Sequence, residues 1–232
     1  MDLLKLFTRE EAIAGMEISD SYIRIALLGL KKEKQAKKEI IEIKALKKAP
    51  LKAGIIVNGV IENKAVFVKT LKEILKEIKP KIRYAVVSIL PNNIYSHLYS
   101  FPKTVSGEKL EETMKLTIGF QLPMKTEEVY LDWEKVSLIK ENEIFLASVP
   151  RPIIDVYTET LTAGGIMPVA VEFHPMSAVR LIDFPSDKTA RLLLIADRQN
   201  INVSVIENRT IKFNRLVPAD FLNDDIRKVI DF

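Results

Sequence analysis

Residues 14–28 read AGMEISDSYIRIALL, and this stretch decides the fold that the sequence predicts. A mostly apolar run leads into a polar turn at 19–21, and an alternating run begins at Tyr22. Two such runs on either side of a polar turn are typical of paired antiparallel strands. The stretch therefore predicts a strand–turn–strand, a shape that opens many phosphate-binding sites, although its turn carries an acid where a phosphate would lie.

The composition limits the chemistry that the chain can perform. Its 232 residues are 47% hydrophobic and 28% charged, with a net charge of +4, as in an ordinary globular protein. With no cysteine and only two histidines, it has no disulfides, thiolate zinc sites or cysteine nucleophiles, and we expect no metal site. The lack of cysteine favours a cytoplasmic setting, and no apolar run approaches the roughly 20 residues that span a bilayer.

Positive charge is concentrated in residues 31–48, which read KKEKQAKKEIIEIKALKK. Nucleic-acid binders tend to combine such charge with stacking aromatic residues or a recognition helix, and this run contains no aromatic residue. We therefore expect a solvated hairpin and no nucleic-acid partner. Weak contact with an anionic membrane surface, aided by the apolar cluster at residues 3–7, is the alternative.

The first part of the chain predicts three strands, a tight turn and a helix. Residues 22–30 and 39–47 predict a long hairpin, and the Asn-Gly pair at 58–59 marks a second, tight hairpin turn. Asn63 is the predicted cap of a helix at 64–79. The apolar stripe predicted for that helix consists of Val68, Leu71, Leu75 and Ile78.

The remaining chain predicts a succession of strands and helices. Ser106 is the predicted cap of a helix at 107–122, and Pro152 begins a helix that a glycine pair closes at 164–165. Further strands are predicted at 83–91, 93–102, 127–139, 143–150, 167–175, 191–197, 201–207 and 210–218, and further helices at 176–182 and 219–232.

The order of these elements resembles the actin-like superfold and, within it, the PilM family of type IV pilus assembly proteins, with the FtsA family of cell-division proteins next. The matching segments, in family order, are GMEISDSYIRIALL, VNGVIENKAVFVKTLKEIL, AVVSILPNNIYSHLYSFP and YTETLTAGGIMPVAVEFHPMSAVRLI. The resemblance implies an α/β, ribonuclease H-like first lobe in residues 1–91 and 174–187. It also implies an inserted α/β subdomain in 92–173 and the partial start of a second lobe in 188–232. The family continues further, whereas this sequence stops at Phe232.

The first phosphate-binding turn of the family is altered in this chain. In working members, glycine lets backbone N–H groups approach the phosphates, and an aspartate on the preceding strand helps to hold Mg²⁺. The matched positions are Gly15, Glu17 for the aspartate, Ser19 for the glycine, Asp20 for a serine, Ser21, and Arg24 for a lysine. Two unit charges about 4 Å apart repel by about 4 kcal/mol at an effective dielectric near 20, so Asp20 is expected to lower triphosphate affinity roughly a thousandfold. Arg24 would offset this fully only by pairing with Asp20.

The second phosphate turn departs further from the family. The Asp-Ile-Gly motif aligns with Ile195, Ala196 and Asp197, so isoleucine replaces the metal-holding acid and aspartate replaces the glycine. A shifted register would make Asp197 the acid but would put Gln199 in place of the glycine. We therefore expect two remnant turns, no catalytic residue and no cofactor, with ATP and Mg²⁺ bound only if the remnant site still works.

The resemblance implies a scaffold rather than an enzyme. PilM-like proteins receive the N-terminal cytoplasmic peptide of a PilN-like single-pass membrane protein, in the cleft between the first lobe and the insertion, at the inner membrane. Strand-edge hydrogen bonds and apolar pockets hold an extended peptide without a nucleotide. The alternatives are a fragment of an ATP-binding actin-like ATPase, or an FtsA-like peripheral membrane adaptor with an amphipathic segment.

Overall fold

The computed structural model describes residues 12–33, 38–137, 142–182, 189–196 and 200–219. The strands of the described residues are β1 (Ile13–Ile18), β2 (Tyr22–Glu33), β3 (Lys38–Pro50), β4 (Ile56–Val57), β5 (Val60–Ile61), β6 (Tyr84–Ile89), β7 (Tyr95–Phe101), β8 (Val129–Ser137), β9 (Asn142–Pro150), β10 (Met167–Phe173), β11 (Arg191–Ala196), β12 (Asn200–Glu207) and β13 (Thr210–Pro218). The helices are α1 (Lys64–Lys76), α2 (Glu108–Gln121), α3 (Arg151–Gly164) and α4 (His174–Leu181). Every predicted strand is present, whereas the helix predicted at 219–232 lies, beyond Ala219, outside the described residues.

The elements form two compact units. The first comprises Met1–Leu90 and Asp155–Glu172, and the second comprises Pro91–Ile154 and Phe173–Phe232. The boundaries expected from the sequence for a first lobe, an insertion and a partial second lobe stay a prediction. Within the described ranges, no helix combines the length and the apolar character that crossing a membrane requires.

The first unit is built on a five-stranded sheet with the order β10-β6-β1-β2-β3. β1 pairs parallel with β6 and antiparallel with β2. β2 and β3 pair antiparallel from Tyr22 and Pro50 to Glu33 and Lys38, which confirms the predicted hairpin. The short β4–β5 hairpin turns at Asn58 and Gly59, which both have positive φ, as the Asn-Gly pair predicts.

One face of this sheet lies in the core of the first unit. Its buried side chains alternate along the strands and are Ala14, Met16, Ile18, Ile23, Ile25, Leu27, Ala85, Val87 and Ile89. α1 and α3 bury Phe67, Leu71, Ile74, Tyr157 and Leu161. The helices contact each other closely, since a Cβ on Gly164 would lie 2.4 Å from Leu71 Cδ2. Burying each large aliphatic side chain contributes about 1.5–3 kcal/mol, so this layer is a main source of stability.

α1 begins at the cap that the sequence predicts. The Asn63 side chain accepts a hydrogen bond of 3.1 Å from the Val66 N–H, which satisfies one of the first N–H groups of the helix. The buried stripe is rotated from the predicted one and consists of Phe67, Leu71 and Ile74.

The predicted cap of α2 is wrong. The N-cap residue is Gly107, at φ 57°, and no side chain caps the helix. A positive φ of this kind suits glycine, so the turn that precedes the helix is made at Gly107 rather than at Ser106. Gly165, at φ 97°, ends α3 in the left-handed conformation that the predicted glycine pair permits.

The second unit contains a three-stranded sheet with the order β7-β9-β8. α2 packs on one face, where the buried side chains are Tyr99, Phe101, Leu110, Met114, Ile118, Ile144 and Leu146. A second cluster joins β9 to α4 and to the β11-β12-β13 sheet and consists of Phe145, Phe173, Val179, Ile206 and Ile211. The β7-β9-β8 sheet is therefore covered on both faces within this unit.

Candidate functional site

The β1–β2 turn is closed by its own side chains. The Ser19 N–H donates to the Tyr22 carbonyl at 3.0 Å. The Ser19 hydroxyl oxygen accepts from the N–H groups of Ser21 and Tyr22 at 3.3 and 3.2 Å. These three N–H groups are therefore already bonded within the turn, where a phosphate cradle needs N–H groups that point at the anion.

The Asp20 carboxylate binds the backbone of the β4–β5 turn. Its two oxygens accept from the N–H groups of Asn58 and Gly59, each at 2.9 Å. Consecutive N–H groups in a turn of this kind form a concave anion site, and here the anion is a side chain of the same protein. Asp20 is only 9% exposed, and the buried Tyr157 hydroxyl donates to the Gly59 carbonyl at 3.0 Å. The Asp20 carboxylate, which was expected to repel a phosphate, is thus the hydrogen-bond acceptor for the β4–β5 turn.

Arg24 and Glu17 form a separate polar group on the other face of the sheet. The Glu17 carboxylate accepts from the Tyr22 hydroxyl at 2.7 Å and from the Arg24 guanidinium at 3.1 Å. Burial, together with the hydrogen bond to Glu17, raises the pKa of Tyr22 to about 12. Arg24 was expected to offset the Asp20 charge fully only by pairing with that carboxylate, and in the structure Arg24 pairs with Glu17.

The remaining predicted site residues do not complete a phosphate cradle in the described chain. Gly15 lies within β1 opposite Ala26, and a Cβ there would meet only the Ala26 carbonyl, at 3.9 Å. The second turn, with Asp197, lies outside the described residues. Among the described residues no group of three or more acidic or histidine side chains is placed to hold a metal ion. That the two turns are inactive remnants stays a prediction.

A cavity of about 250 Å³ lies within the second unit. Its walls come from three places: the turn before β7, the chain after α2, and the adjoining ends of β8 and β9. The apolar part of the lining includes Ile94, Leu122, Met124, Val129 and Pro150. Pockets for small organic ligands usually have about 300–1,000 Å³, so the size fits one or two anchoring side chains better than a nucleotide.

Asn92 is one of the residues that line this cavity. Its side-chain oxygen is buried and has no hydrogen-bond partner in the described structure. A buried acceptor without a partner costs about 1–3 kcal/mol, so a ligand that donates to this oxygen after a turn of the Asn92 side chain would recover that cost. The polar lining also includes Tyr95 and Ser148, which lie opposite each other on β7 and β9. The mainly apolar lining suits an apolar side chain better than a charged group.

Sequence reasoning missed the cavity and the partner of Asp20. The three wall segments lie far apart in the chain, and no local pattern marks their meeting. Asp20 and the Asn58-Gly59 turn each stand out in the sequence, but 38 and 39 residues separate the bonded groups.

Two solved structures share this fold. A chain of a PilM–PilN type IV pilus biogenesis complex has a TM-score of 0.73 and 18% identity, with 89% of this chain and 61% of that chain covered. This chain therefore spans 61% of the length of that relative. The cytoplasmic domain of EpsL, an inner-membrane component of the type II secretion system of Vibrio cholerae, has a TM-score of 0.56 and 14% identity, with 91% and 73% covered. The predicted α/β, actin-like fold class is confirmed.

The sequence comparisons give the family. No curated protein sequence matches the chain significantly. The family model of the type IV pilus assembly protein PilM matches residues 15–222, which include the β1–β2 turn and all four helices. This match confirms the resemblance inferred from the segments of the sequence. The chain belongs to the PilM family of type IV pilus assembly proteins.

Proposed function

We propose that the chain is a non-catalytic cytoplasmic scaffold of a type IV pilus assembly platform at the inner membrane, where it holds the N-terminal tail of a PilN-like membrane protein. Membership of the PilM family supports the pilus-assembly part of this proposal. The shared fold with a chain of a PilM–PilN complex supports a partner of the PilN type. The proposal needs neither ATP nor Mg²⁺.

The closed β1–β2 turn supports a role without nucleotide. A phosphate at this turn would have to displace the Ser19 hydroxyl from two N–H groups. The Asp20 carboxylate would remain next to it, held by the β4–β5 turn. The displacement of Ser19 and the charge repulsion from Asp20 both oppose the binding of a triphosphate. The proposed scaffold role does not depend on ATP binding.

The observation that carries the proposal is the apolar cavity that Asn92 lines. An extended tail offers apolar side chains for the space beside Leu122 and Met124, and a backbone N–H for the buried Asn92 oxygen once that side chain turns toward the cavity. Peptide recognition of this kind uses main-chain hydrogen bonds for affinity and pockets for specificity. We therefore infer that this cavity takes an anchoring part of the tail.

The test is a titration of the purified chain with a labelled peptide of about the first 12 residues of a PilN-like protein from the same organism, followed by fluorescence anisotropy. We expect saturable binding, and a loss of tenfold or more in affinity for Asn92→Ala and for Met124→Lys. Phe120→Ser is the matched control, because Phe120 is 87% exposed on α2 and does not line the cavity.

Two results would count against the proposal. If the peptide does not bind at high micromolar concentration, the scaffold role for a PilN-like tail is wrong. If it binds and the Asn92 and Met124 variants bind as well as the control, the tail docks elsewhere and the cavity assignment is wrong. Urea denaturation of each variant shows whether a loss of binding reflects a loss of folding.

A further inference from the structure

The outer face of the first unit's sheet carries large apolar side chains that the described chain leaves in solvent. Six of them, which we call the apolar stripe, are Ile13 (55% exposed), Leu28 (55%), Leu30 (67%), Ile41 (71%), Ile43 (64%) and Leu46 (65%). Cross-strand pairing makes the stripe continuous on the hairpin, because Leu28 lies opposite Ile43 and Leu30 lies opposite Ile41.

This arrangement is typical of a sheet that is covered on both faces. An antiparallel sheet with one solvated face usually alternates apolar residues inward with polar residues outward. In the part of the hairpin where Leu28 pairs with Ile43 and Leu30 with Ile41, the outward positions are instead leucine and isoleucine. The sheet also contains the parallel β1–β6 pair, and parallel strands are usually covered on both faces. The other face contributes to the core of the unit through Ile23, Ile25 and Leu27, and the described part of the chain provides no second layer for the exposed face.

Two cations lie at one end of the apolar stripe. Arg24 and Lys48 are directly opposite in the register of β2 and β3, and both charged groups lie over the Tyr22 ring, at 4.2 and 4.5 Å. Glu17 pairs with Arg24, whereas no carboxylate of the described residues pairs with Lys48. Like charges in direct opposition destabilise a sheet, so an added carboxylate would be favourable here.

The dimensions of the apolar stripe match one helix. From Leu46 to Ile41 it extends about 17 Å along the strand, the length of about 11 residues of α-helix. Its width of two to three strands, about 10–14 Å, is close to the diameter of a helix with its side chains. We propose that the apolar stripe docks one amphipathic helix of a protein partner, with carboxylates beside the apolar face of that helix.

A membrane surface is the less favourable occupant. Both an anionic bilayer and an acidic helix would complement the lysine-rich hairpin, in which residues 31–48 contain eight lysines and three glutamates. Surfaces that enter the membrane interface are enriched in tryptophan and tyrosine, and the apolar stripe contains no aromatic residue. The proposed surface lies wholly within β1, β2 and β3, so the proposal does not depend on the cavity of the second unit.

The test uses two synthetic labelled helical peptides of 18 residues with the same leucine face, one flanked by glutamates and one by lysines. The exposed pair Leu30→Ser with Ile41→Ser removes apolar surface, and Lys48→Glu reverses one charge. The matched control is Leu116→Ser with Phe120→Ser, on the exposed face of α2, where the side chains are 65% and 87% exposed. All three proteins are compared with the unaltered chain by anisotropy, after urea denaturation has confirmed that they fold.

We expect the glutamate peptide to bind the unaltered chain at least tenfold more tightly than the lysine peptide. The serine pair in the apolar stripe should lower the affinity for the glutamate peptide at least tenfold, and Lys48→Glu should lower it severalfold. The α2 control should leave this affinity unchanged. Equal binding to the stripe variant and the control overturns the proposal. Two further results would overturn it. If the unaltered chain sediments with phosphatidylglycerol vesicles and the stripe variant does not, the occupant is a bilayer. If the unaltered chain forms a dimer and the stripe variant does not, the occupant is a second copy.

Discussion

The Asp20 carboxylate and the Gly59 N–H lie 2.9 Å apart and join two turns that are 39 residues apart in the chain. The second carboxylate oxygen bonds the neighbouring Asn58 N–H at the same distance, and the Tyr157 hydroxyl bonds the Gly59 carbonyl. The β1–β2 turn, the β4–β5 turn and α3 therefore meet in one buried polar group. In this group a carboxylate takes the place that an external anion would otherwise fill in the β4–β5 turn.

Removing this carboxylate is expected to destabilise the first unit. Asp20→Ala leaves two turn N–H groups without their acceptor, and the cost of such a loss is about 1–3 kcal/mol for each buried group. We expect the free energy of unfolding to fall by about 2–4 kcal/mol, measured by urea denaturation. Asp20→Asn keeps one acceptor oxygen and should lie between the alanine variant and the unaltered chain.

The matched control for the Asp20 variants is Asp132→Ala. Within the described part of the chain, the Asp132 carboxylate accepts a hydrogen bond only from the adjacent Trp133 N–H, and Asp132 is exposed on β8. Its loss should change the free energy of unfolding by less than about 0.5 kcal/mol, as is usual for surface positions. An Asp20→Ala variant as stable as the Asp132 control would show that the link between the two turns contributes nothing.

Tyr157→Phe tests the second bond to the same turn. The variant keeps the buried ring and removes only the hydroxyl that donates to the Gly59 carbonyl at 3.0 Å. We expect a loss of about 1 kcal/mol in the free energy of unfolding, the usual net value of one hydrogen bond. In combination with Asp20→Ala the loss should be smaller than the sum of the two, because both bonds hold the same turn. Strict additivity would mean that the two bonds act independently.

Mg-ATP should leave the thermal stability of the chain unchanged. A ligand present at 100 times its dissociation constant raises the free energy of unfolding by about 2.7 kcal/mol, which a thermal shift assay detects easily. We expect no saturable shift up to millimolar Mg-ATP, because the N–H groups of the first turn are bonded to Ser19 and its acid is held in place. Magnesium sulfate at equal ionic strength is the control. A saturable rise with ATP alone would favour the ATPase alternative.

The sequence predicts this fold well where the pattern is local. The hairpin of residues 22–30 and 39–47, the Asn63 cap and the Asn58-Gly59 turn are all present, although a bulge between Leu27 and Leu28 interrupts the alternation of the hairpin. The stripe of α1 is rotated because Phe67 and Ile74 lie next to the predicted Val68 and Leu75, and a helical period accommodates either set. Packing against the rest of the unit, which the sequence of one helix does not contain, decides between them.

The candidate site is less predictable because its contacts are distant in sequence. The sequence marks Asp20 as a departure from the family's phosphate turn, but its bonds to the turn at 58–59 follow only from the packed structure. The cavity with Asn92 is likewise assembled from three separate segments. Local chemistry shows which residues depart from a family pattern, whereas the replacement contact depends on tertiary structure.

The Tyr22 hydroxyl should give the stability of the chain a distinct alkaline dependence. Burial and the hydrogen bond to Glu17 raise the pKa of Tyr22 from 10.0 to about 12. Between these pH values the unfolded state has lost a proton that the folded state keeps, so the free energy of unfolding falls as the pH rises. This contribution is fully present below about pH 10 and is lost as the pH rises to about 12. The urea midpoint of the unaltered chain should therefore fall more steeply in this window than that of Tyr22→Phe. Parallel curves for the two proteins would contradict the raised pKa.

Gly164→Ala should disturb the contact between α1 and α3. A Cβ at this position would lie 2.4 Å from Leu71 Cδ2 and 3.2 Å from its Cγ, and the Leu71 side chain is fully buried. We expect a loss of about 1–3 kcal/mol in the free energy of unfolding, typical of an overpacked core, which exceeds the gain of up to about 1 kcal/mol in helix propensity. Gly119→Ala on α2 is the matched control, since nothing lies within 4 Å of its Cβ and the change should be neutral or stabilising. The double variant Leu71→Ala with Gly164→Ala should lose less stability than the sum of the losses in the two single variants, because the added methyl group then occupies the space that Leu71 leaves. A Gly164→Ala variant as stable as the Gly119 control would show that the two helices are further apart than this structure has them.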